Sequence, residues 1–151
     1  MGRWMSEMSP RVQGREFILP VRVYYEDTDA GGVVYYANYL KFAERARTEM
    51  LRHLGLENSV LQDEDDIALV VRHLEADYRQ PAKLDDLLNV HMTLNKIGGA
   101  SLDGTQRIMC GDNLLVSIKI KIGCMKLSGG PARLPEKIRI LLRDFETPDE
   151  I

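Results

Sequence analysis

The chain has 151 residues, of which 44% are hydrophobic and 28% are charged, as in an ordinary globular domain. A formal net charge of −3 gives no basic field that would attract nucleic acid or an anionic membrane surface, and no apolar run approaches the ~20 residues of a membrane-spanning helix. No export signal precedes the two cysteines, so we expect reduced thiols and a cytoplasmic location.

The first fifteen residues mix Met, Ser, Pro, Gly and charged residues without any period, and this pattern predicts a disordered arm over residues 1–15. The remaining sequence has no internal repeat and no low-complexity tract. Residues 16–146 are therefore predicted to form a single domain, followed by a tail at residues 147–151. The first strand of this domain is expected over residues 17–25, which are rich in Val, Ile, Phe and Tyr.

A long amphipathic helix is predicted from Tyr39, where the hydrophobic period changes from two to about 3.6. We expect Asn38 to cap its start and Gly55 to take a left-handed conformation just beyond its end. The helix spans ~25 Å. Its apolar face is formed by Tyr39, Phe42, Ala43, Ala46, Met50 and Leu54.

The rest of the chain is predicted to consist mainly of strands. A polar connection at residues 58–66 contains an acidic run, which we interpret as a solvated loop because it lacks the alternating ligands and the turn glycine of a calcium site. Four strand-like segments, separated by turn residues and followed by a short helix, are then predicted over residues 67–78, 88–96, 101–110, 116–122 and 135–145. The second and the fourth strand alternate clearly between apolar and polar residues. The order predicts an α+β fold, in which an antiparallel five-stranded sheet, ending in a four-stranded meander, curls round the long helix.

The joint between the first strand and the long helix has the residues best suited to catalysis. Asp27 and Asp29 stand in this joint, and the two glycines that follow let a ligand carbonyl approach the backbone closely. The helix start offers unpaired N–H groups and positive dipole to a developing oxyanion. Tyr35, Tyr36 and Tyr39 are expected to wall the site. Aspartate before a helix is also a common turn and capping residue, so the residues alone leave both interpretations open.

Other catalytic constellations are poorly supported. Ser101 lacks the closing glycine of a nucleophile elbow. His53, His73 and His91 fall on three different predicted elements, and neither cysteine has a partner at ligand spacing. We therefore assign no metal and no cofactor.

The residues of this joint resemble those of the hotdog-fold acyl-CoA thioesterases, and most closely the Tol-Pal-associated thioesterases within the 4-hydroxybenzoyl-CoA thioesterase family. The resemblance is carried by PVRVYYEDTDAGGVVY (residues 20–35) and ERARTEMLR (residues 44–52), with weaker matches at residues 81–86, 105–108 and 134–135. It extends over about residues 17–143. It implies the hotdog fold and hydrolysis of acyl-CoA to free acid and CoA.

Residue by residue, the resemblance also implies a site. The family's catalytic carboxylate falls on Asp29, which is implied to act either as the general base or as the nucleophile. The backbone N–H that polarises the thioester carbonyl falls on Tyr36, at the first turn of the long helix. Substrate contacts fall on Gly32, Val33 and Tyr39.

Two positions depart from the family pattern. Tyr36 stands where the Tol-Pal-associated members commonly carry His, and the Gly98-Gly99 turn is often basic in relatives, near the CoA phosphates. We therefore expect the phosphates to contact Lys96, Lys126 or Arg133 instead.

The resemblance implies an active site between two protomers, in a homodimer or a dimer of dimers, and a connection to a membrane-envelope system. The substrate is expected to be acyl-CoA, and acyl carrier protein is the alternative carrier of the acyl group. Two alternatives stay open: non-catalytic binding of acyl thioesters, and a hotdog dehydratase. The dehydratase chemistry typically uses a histidine beside the acid, and the nearest in sequence, His53, is expected at the far end of the helix.

Overall fold

The structure is a computed structural model that describes residues 8–147. Its strands are β1 (Arg11–Gln13), β2 (Glu16–Arg22), β3 (Ile67–Tyr78), β4 (Leu87–Ile97), β5 (Ser101–Cys110) and β6 (Asn113–Lys126). Its α-helices are α1 (Asn38–His53), α2 (Asn58–Asp65) and α3 (Glu136–Leu142), and 3-10 turns cover Tyr25–Asp27 and Arg143–Phe145. No helix in this part of the chain is long and apolar enough to cross a membrane.

The strands form one antiparallel sheet in the order β1-β2-β4-β5-β6-β3. β4, β5 and β6 form a meander, but β3 pairs with β6 at the far edge of the sheet. The predicted four-stranded meander is therefore wrong for β3. Hydrophobic alternation determines which face of a strand is buried, whereas it does not identify the neighbouring strand.

The described sheet has six strands where five were predicted. The additional strand, β1, lies inside the stretch that was predicted to be a disordered arm. The chain reverses at Gly14, whose φ is +61°, and this turn lets Arg11–Gln13 pair with the start of β2. The prediction of disorder is therefore wrong for these three residues; residues 1–7 of the predicted arm and residues 148–151 of the predicted tail lie outside the described range.

The long helix packs across β2, β4 and β5, and the sheet curls round it as predicted. Tyr39, Phe42, Ala43, Ala46 and Met50 of its apolar face are at most 3% exposed. Alternate residues of the central strands point at this face, which is why each of these strands has a buried and a half-buried side. The long helix and the concave side of the sheet thus enclose one core, to which α2 and α3 add Leu61, Ile138 and Leu142.

The predictions for the ends of the long helix and for the connection after it were only partly correct. Gly55 follows α1 with a φ of +74°, as predicted. Asn38 is the first residue of α1 and does not cap it; its side-chain amide donates to the carbonyl of Asp27 instead. The acidic connection is helical as α2, because Leu61 is buried (1% exposed) and anchors one side of the segment to the core.

Candidate active site

The loop between β2 and α1 forms a small hairpin that carries Asp29. Thr28 and Val34 face each other as an isolated bridge. Within it, the N–H of Asp29 donates to the carbonyl of Val33 at 2.8 Å. Gly32 lies at the tip with a φ of +79°, a conformation that favours glycine. The predicted substrate-binding residues Gly32 and Val33 are thus held in one turn with Asp29.

The two aspartates of this loop have different surroundings. The carboxylate of Asp27 accepts the N–H of Tyr24 at 2.8 Å, and its carbonyl accepts the side chain of Asn38 at 2.9 Å. The carboxylate of Asp29 is exposed, and its Oδ1 accepts the N–H of Gly31 at 2.8 Å. A Cβ at Gly31 would stand only 3.2 Å from this oxygen. Each carboxylate thus accepts one backbone N–H, but Asp27 is half-buried, whereas Asp29 is exposed to solvent.

Tyr36 lies two residues before α1 and not in its first turn, which corrects the sequence prediction. The chain turns at this point because the N–H of Asn38 bonds back to the carbonyl of Tyr35 at 2.8 Å. Among the backbone hydrogen bonds of residues 8–147, none uses the N–H of Tyr36. A free donor at the positive end of a helix is suited to a negatively charged oxygen.

Aromatic rings form one wall beside this loop. The rings of Tyr36 and Tyr78 meet edge-on with centroids 6.1 Å apart, and the centroids of Tyr39 and Tyr78 are 5.8 Å apart. Tyr39 is buried, and its hydroxyl accepts the N–H of Ala82 at 2.9 Å. Burial is the main cause that raises the pKa of Tyr39. The predicted substrate contact at Tyr39 thus lies beneath the wall, held in place by the chain that follows β3.

A cleft of about 250 Å³ opens along this wall. Its other side is the end of β3 and the segment that follows, which sequence reasoning did not assign to the site. The available signal was an aromatic residue at the end of a predicted strand, directly before Gln80-Pro81. The lining residues are Val34, Tyr36, Tyr39, Tyr78, Arg79, Gln80 and Pro81.

The three cations expected near the CoA phosphates lie at the other end of the sheet. β4 begins beside the Asp29 loop and carries Lys96 near its far end, so that the length of the strand separates the two by about 30 Å. Lys126 ends β6 at the same far end, and Arg133 precedes a residue that bonds to the β4–β5 turn. In one chain, therefore, none of the three reaches Asp29.

The histidines also lie away from Asp29. The ring of His53 packs 5.7 Å from that of Phe17 at the end of α1, ~24 Å along the helix from its start. His73 pairs with Glu75, and His91 pairs with Glu16. A dehydratase would require a histidine beside the acid, and this arrangement supplies none within the described residues. No group of three or more potential metal ligands occurs in the same part of the chain.

A second hollow of about 380 Å³ lies between α1 and the first half of β3. Its wall contains one guanidinium, that of Arg47, which donates from Nη1 to Oε1 of Gln106 at 3.0 Å. Gln106 is fully buried, and its amide nitrogen donates to the carbonyl of Ala43 at 2.8 Å. Burial lowers the pKa of Arg47, although the charge of Glu44 opposes the shift. Sequence reasoning did not find this pair, because its members are 59 residues apart.

Comparisons with known proteins show the family of this chain. Residues 31–117 match the sequence profile of the thioesterase superfamily. The chain is 46% identical over 124 residues to the acyl-CoA thioesterase YbgC of Haemophilus influenzae, an alignment that covers 82% of this chain and 91% of that protein.

Solved structures give the same result. A probable thioesterase from Bartonella henselae is 39% identical, with a TM-score of 0.75 over 78% of this chain and 98% of that chain. Slr0204, a 1,4-dihydroxy-2-naphthoyl-CoA thioesterase from Synechocystis, is 26% identical, with a TM-score of 0.79 over 88% of this chain and 99% of that chain. The similarity therefore extends over most of the described fold.

Proposed function

Because this chain belongs to the thioesterase superfamily and is a thioester hydrolase of acyl-CoA with the hotdog fold, we propose that Asp29 is its catalytic carboxylate. The observation that carries this proposal is the difference between the two aspartates of the loop. Both carboxylates accept one backbone N–H, but Asp27 is half-buried, whereas Asp29 is exposed in the loop that contributes Val34 and Tyr36 to the aromatic cleft. A carboxylate that acts on a substrate must be accessible in this way.

Two routes are open to this carboxylate. As a general base, Asp29 takes a proton from water while the water oxygen attacks the thioester carbon, and the C–S bond then breaks to release CoA. As a nucleophile, Asp29 attacks the same carbon to form a mixed anhydride, which water hydrolyses afterwards. Both routes end in a free acid and the CoA thiol.

In either route the thioester oxygen gains negative charge in the transition state. We propose that the N–H of Tyr36 stabilises it, since this donor has no backbone acceptor in the described chain and lies just before the start of α1. A single donor of this kind is typically worth ~3 kcal/mol. The role belongs to the main chain, so a different side chain at this position would alter the shape of the cleft more than the chemistry.

The free edge of β3 supports a site that two copies of the chain share. β3 has 12 residues and pairs only with β6 in the described chain, which leaves its other edge open. Val71 and Tyr78 on this strand are 46% and 43% exposed. A long open edge with apolar side chains tends to pair with another strand. We therefore infer a homodimer in which two β3 edges pair antiparallel about a two-fold axis.

This pairing also gives the distant cations a role. In an antiparallel pair, the end of β3 beside Asp29 faces the beginning of the other β3. Lys126 pairs with Ile67 at that beginning, and Arg133 lies at the same end of the sheet. Lys126 and Arg133 of the partner subunit would thus approach the CoA phosphates. A dimer of dimers, acyl carrier protein as the handle and a connection to the membrane envelope stay predictions.

The test compares two variants of the loop, Asp29→Asn and Asp27→Asn, by release of CoA thiol from a panel of acyl-CoA substrates. Asparagine keeps an acceptor for Gly31 in the first variant and for Tyr24 in the second, so both loops keep their hydrogen bonds. Loss of the base or nucleophile should reduce kcat by at least about a hundredfold in Asp29→Asn. Asp27→Asn should remain within a few-fold of the parent.

Three results would overturn the proposal. Asp29→Asn turns over as fast as the parent, or both variants lose activity equally at unchanged thermal stability, or the parent binds acyl-CoA saturably and releases no CoA. The last result would identify the chain as a non-catalytic acyl-thioester-binding protein, since a hotdog fold alone does not make a hydrolase.

A further inference from the structure

The cavity beside the first half of β3 is built for a ligand that is apolar over most of its length. Its volume, about 380 Å³, lies within the usual range of small-molecule sites. Aliphatic and thioether side chains form most of the wall, among them Met50, Met92, Leu94, Leu102 and Ile122. A hydrocarbon chain binds favourably against such a wall, because it is removed from water and has no hydrogen bonds to lose.

Arg47 interrupts this apolar wall with a positive charge. A guanidinium has five N–H donors and no acceptor, and Oε1 of Gln106 is its hydrogen-bond acceptor in the described chain. The bond from the Gln106 amide to the carbonyl of Ala43 keeps that oxygen turned towards Arg47. Glu44 also lines the cavity but forms no ion pair with Arg47 among the described residues. A partly buried cation with most of its donors unused is costly until an anion meets it.

We propose that Arg47 determines acyl specificity, and that the cavity selects acyl groups whose far end is a carboxylate. The methylenes of such a group would pack on the aliphatic wall, while its terminal carboxylate would accept two parallel N–H bonds from the guanidinium. The inference rests on the proposed function and on the β3-paired dimer, because that pairing brings the cavity of one subunit towards the Asp29 loop of the other.

The test compares two substrates of equal acyl length, glutaryl-CoA and pentanoyl-CoA, by kcat/KM. The parent enzyme should prefer glutaryl-CoA by about tenfold or more, which is the effect of a hydrogen-bonded charge. Arg47→Met keeps an unbranched apolar stem and removes the charge, so the ratio should fall to one or below. Arg47→Lys should restore part of the preference. Arg45→Met is the matched control, because Arg45 is exposed on α1 over the ring of Phe42, and its ratio should equal that of the parent.

The two proposals fail in different ways. If the parent hydrolyses neither substrate, or Asp29→Asn hydrolyses both at the parent rate, the proposed function fails. If the parent hydrolyses pentanoyl-CoA at least as well as glutaryl-CoA, or if Arg47→Met keeps the parent ratio, the assignment of Arg47 fails. Should Arg47→Met not fold, the parent ratio and that of Arg47→Lys decide.

Discussion

The cleft beside Asp29 and the cavity beside Arg47 differ in size, in lining and in the charged groups near them. The cleft is small, aromatic and open, and the loop that supplies Val34 and Tyr36 to its wall also carries the exposed Asp29. The cavity is larger and mainly aliphatic, and its wall carries the half-buried guanidinium of Arg47 and the exposed carboxylate of Glu44. They lie beside opposite ends of β3, since Tyr78 lines the cleft and Val71 lines the cavity. One chain therefore separates the reactive group from the volume that would hold an acyl group.

Pairing of the β3 edge strands would bring the cleft of one subunit close to the cavity of the other. A two-fold axis perpendicular to the paired β3 edges brings the last half of one strand beside the first half of the other. In the proposed dimer, each Asp29 would face a cavity in the other subunit. Dimerisation would then be required for catalysis as well as for stability.

Mixing two inactive variants would test this comparison most strongly. One variant is Asp29→Asn, and the other is Leu69→Trp, which fills the cavity from β3. Each homodimer should lose at least about a hundredfold in rate. Random exchange of subunits should restore about a quarter of the parent activity, because half of the dimers then contain one intact site. The measurement is CoA release after the two proteins are unfolded together and refolded.

Mixing that restores nothing, while both variants form dimers by light scattering, would mean that each site lies within one chain. A mixture of Asp29→Asn with Asp29→Asn protein treated in the same way is the control, and it should stay inactive. If Leu69→Trp alone keeps the parent rate for long and short acyl groups, the cavity does not hold the acyl group.

Much of the fold follows from hydrophobic period. β3 and β5 have the predicted bounds, residues 67–78 and 101–110, because turn residues flank them: Gln80-Pro81 follows β3, and Gly98-Gly99 and Gly111-Asp112 enclose β5. The position of β3 at the far edge was not predictable in this way. That position depends on the connection after Tyr78, which crosses the sheet end and pairs through Lys83 with the Asp29 loop. β1 and α2 were missed because each is anchored by tertiary contacts and has weak local period.

In the candidate site, too, local features were predictable from the sequence and long-range contacts were not. The loop that carries Asp29 is local in sequence, so glycines and aspartates at short spacing were sufficient to indicate it. The bond that identifies Asp27 as a structural residue involves Tyr24, three residues away, yet its presence depends on the 3-10 turn. The pair of Arg47 and Gln106 crosses from helix to sheet, and no short-range pattern encodes that contact.

Replacing Gln106 by Leu would sharpen the comparison at the cavity. Gln106 is 0% exposed and gives Arg47 its acceptor. The variant should lower the free energy of unfolding by about 2 kcal/mol, because a partly buried guanidinium loses its partner. Urea unfolding measures this change. The double variant Arg47→Met with Gln106→Leu should recover part of the loss, since no charge is left unpaired.

This account would be contradicted if the effects of Arg47→Met and Gln106→Leu on the free energy of unfolding simply add in the double variant. The two substitutions would then be independent, and the hydrogen bond between the side chains would contribute nothing to stability. Asp29→Asn offers the contrast, because its side chain is exposed and should leave the free energy of unfolding nearly unchanged.

The smallest effect is expected on the outer face of the sheet, away from both hollows. Oε2 of Glu16 lies 2.9 Å from Nδ1 of His91, and Oε1 of Glu16 lies 2.5 Å from Nη2 of Arg107. Burial alone would raise the pKa of Glu16, but the hydrogen bond with His91 and the charge of Arg107 outweigh it, and the pKa falls below its ordinary value of 4.5. A carboxylate whose pKa is lower in the folded state stabilises the fold above the unfolded pKa. This contribution is lost as the pH falls through the folded value.

Glu16→Gln should therefore lower the free energy of unfolding by about 1 kcal/mol at pH 7. The difference from the parent should shrink as the pH falls below 4.5 and vanish once Glu16 is protonated in both states. Glu75→Gln is the matched control, because Glu75 pairs with His73 on the same face but is 68% exposed, so its effect should stay near zero at every pH. A Glu16→Gln difference that persists undiminished in acid would mean that packing, and not charge, accounts for the loss. Because this cluster touches neither hollow, the variant should hydrolyse acyl-CoA at the parent rate at pH 7, which separates stability from the function of the shared site.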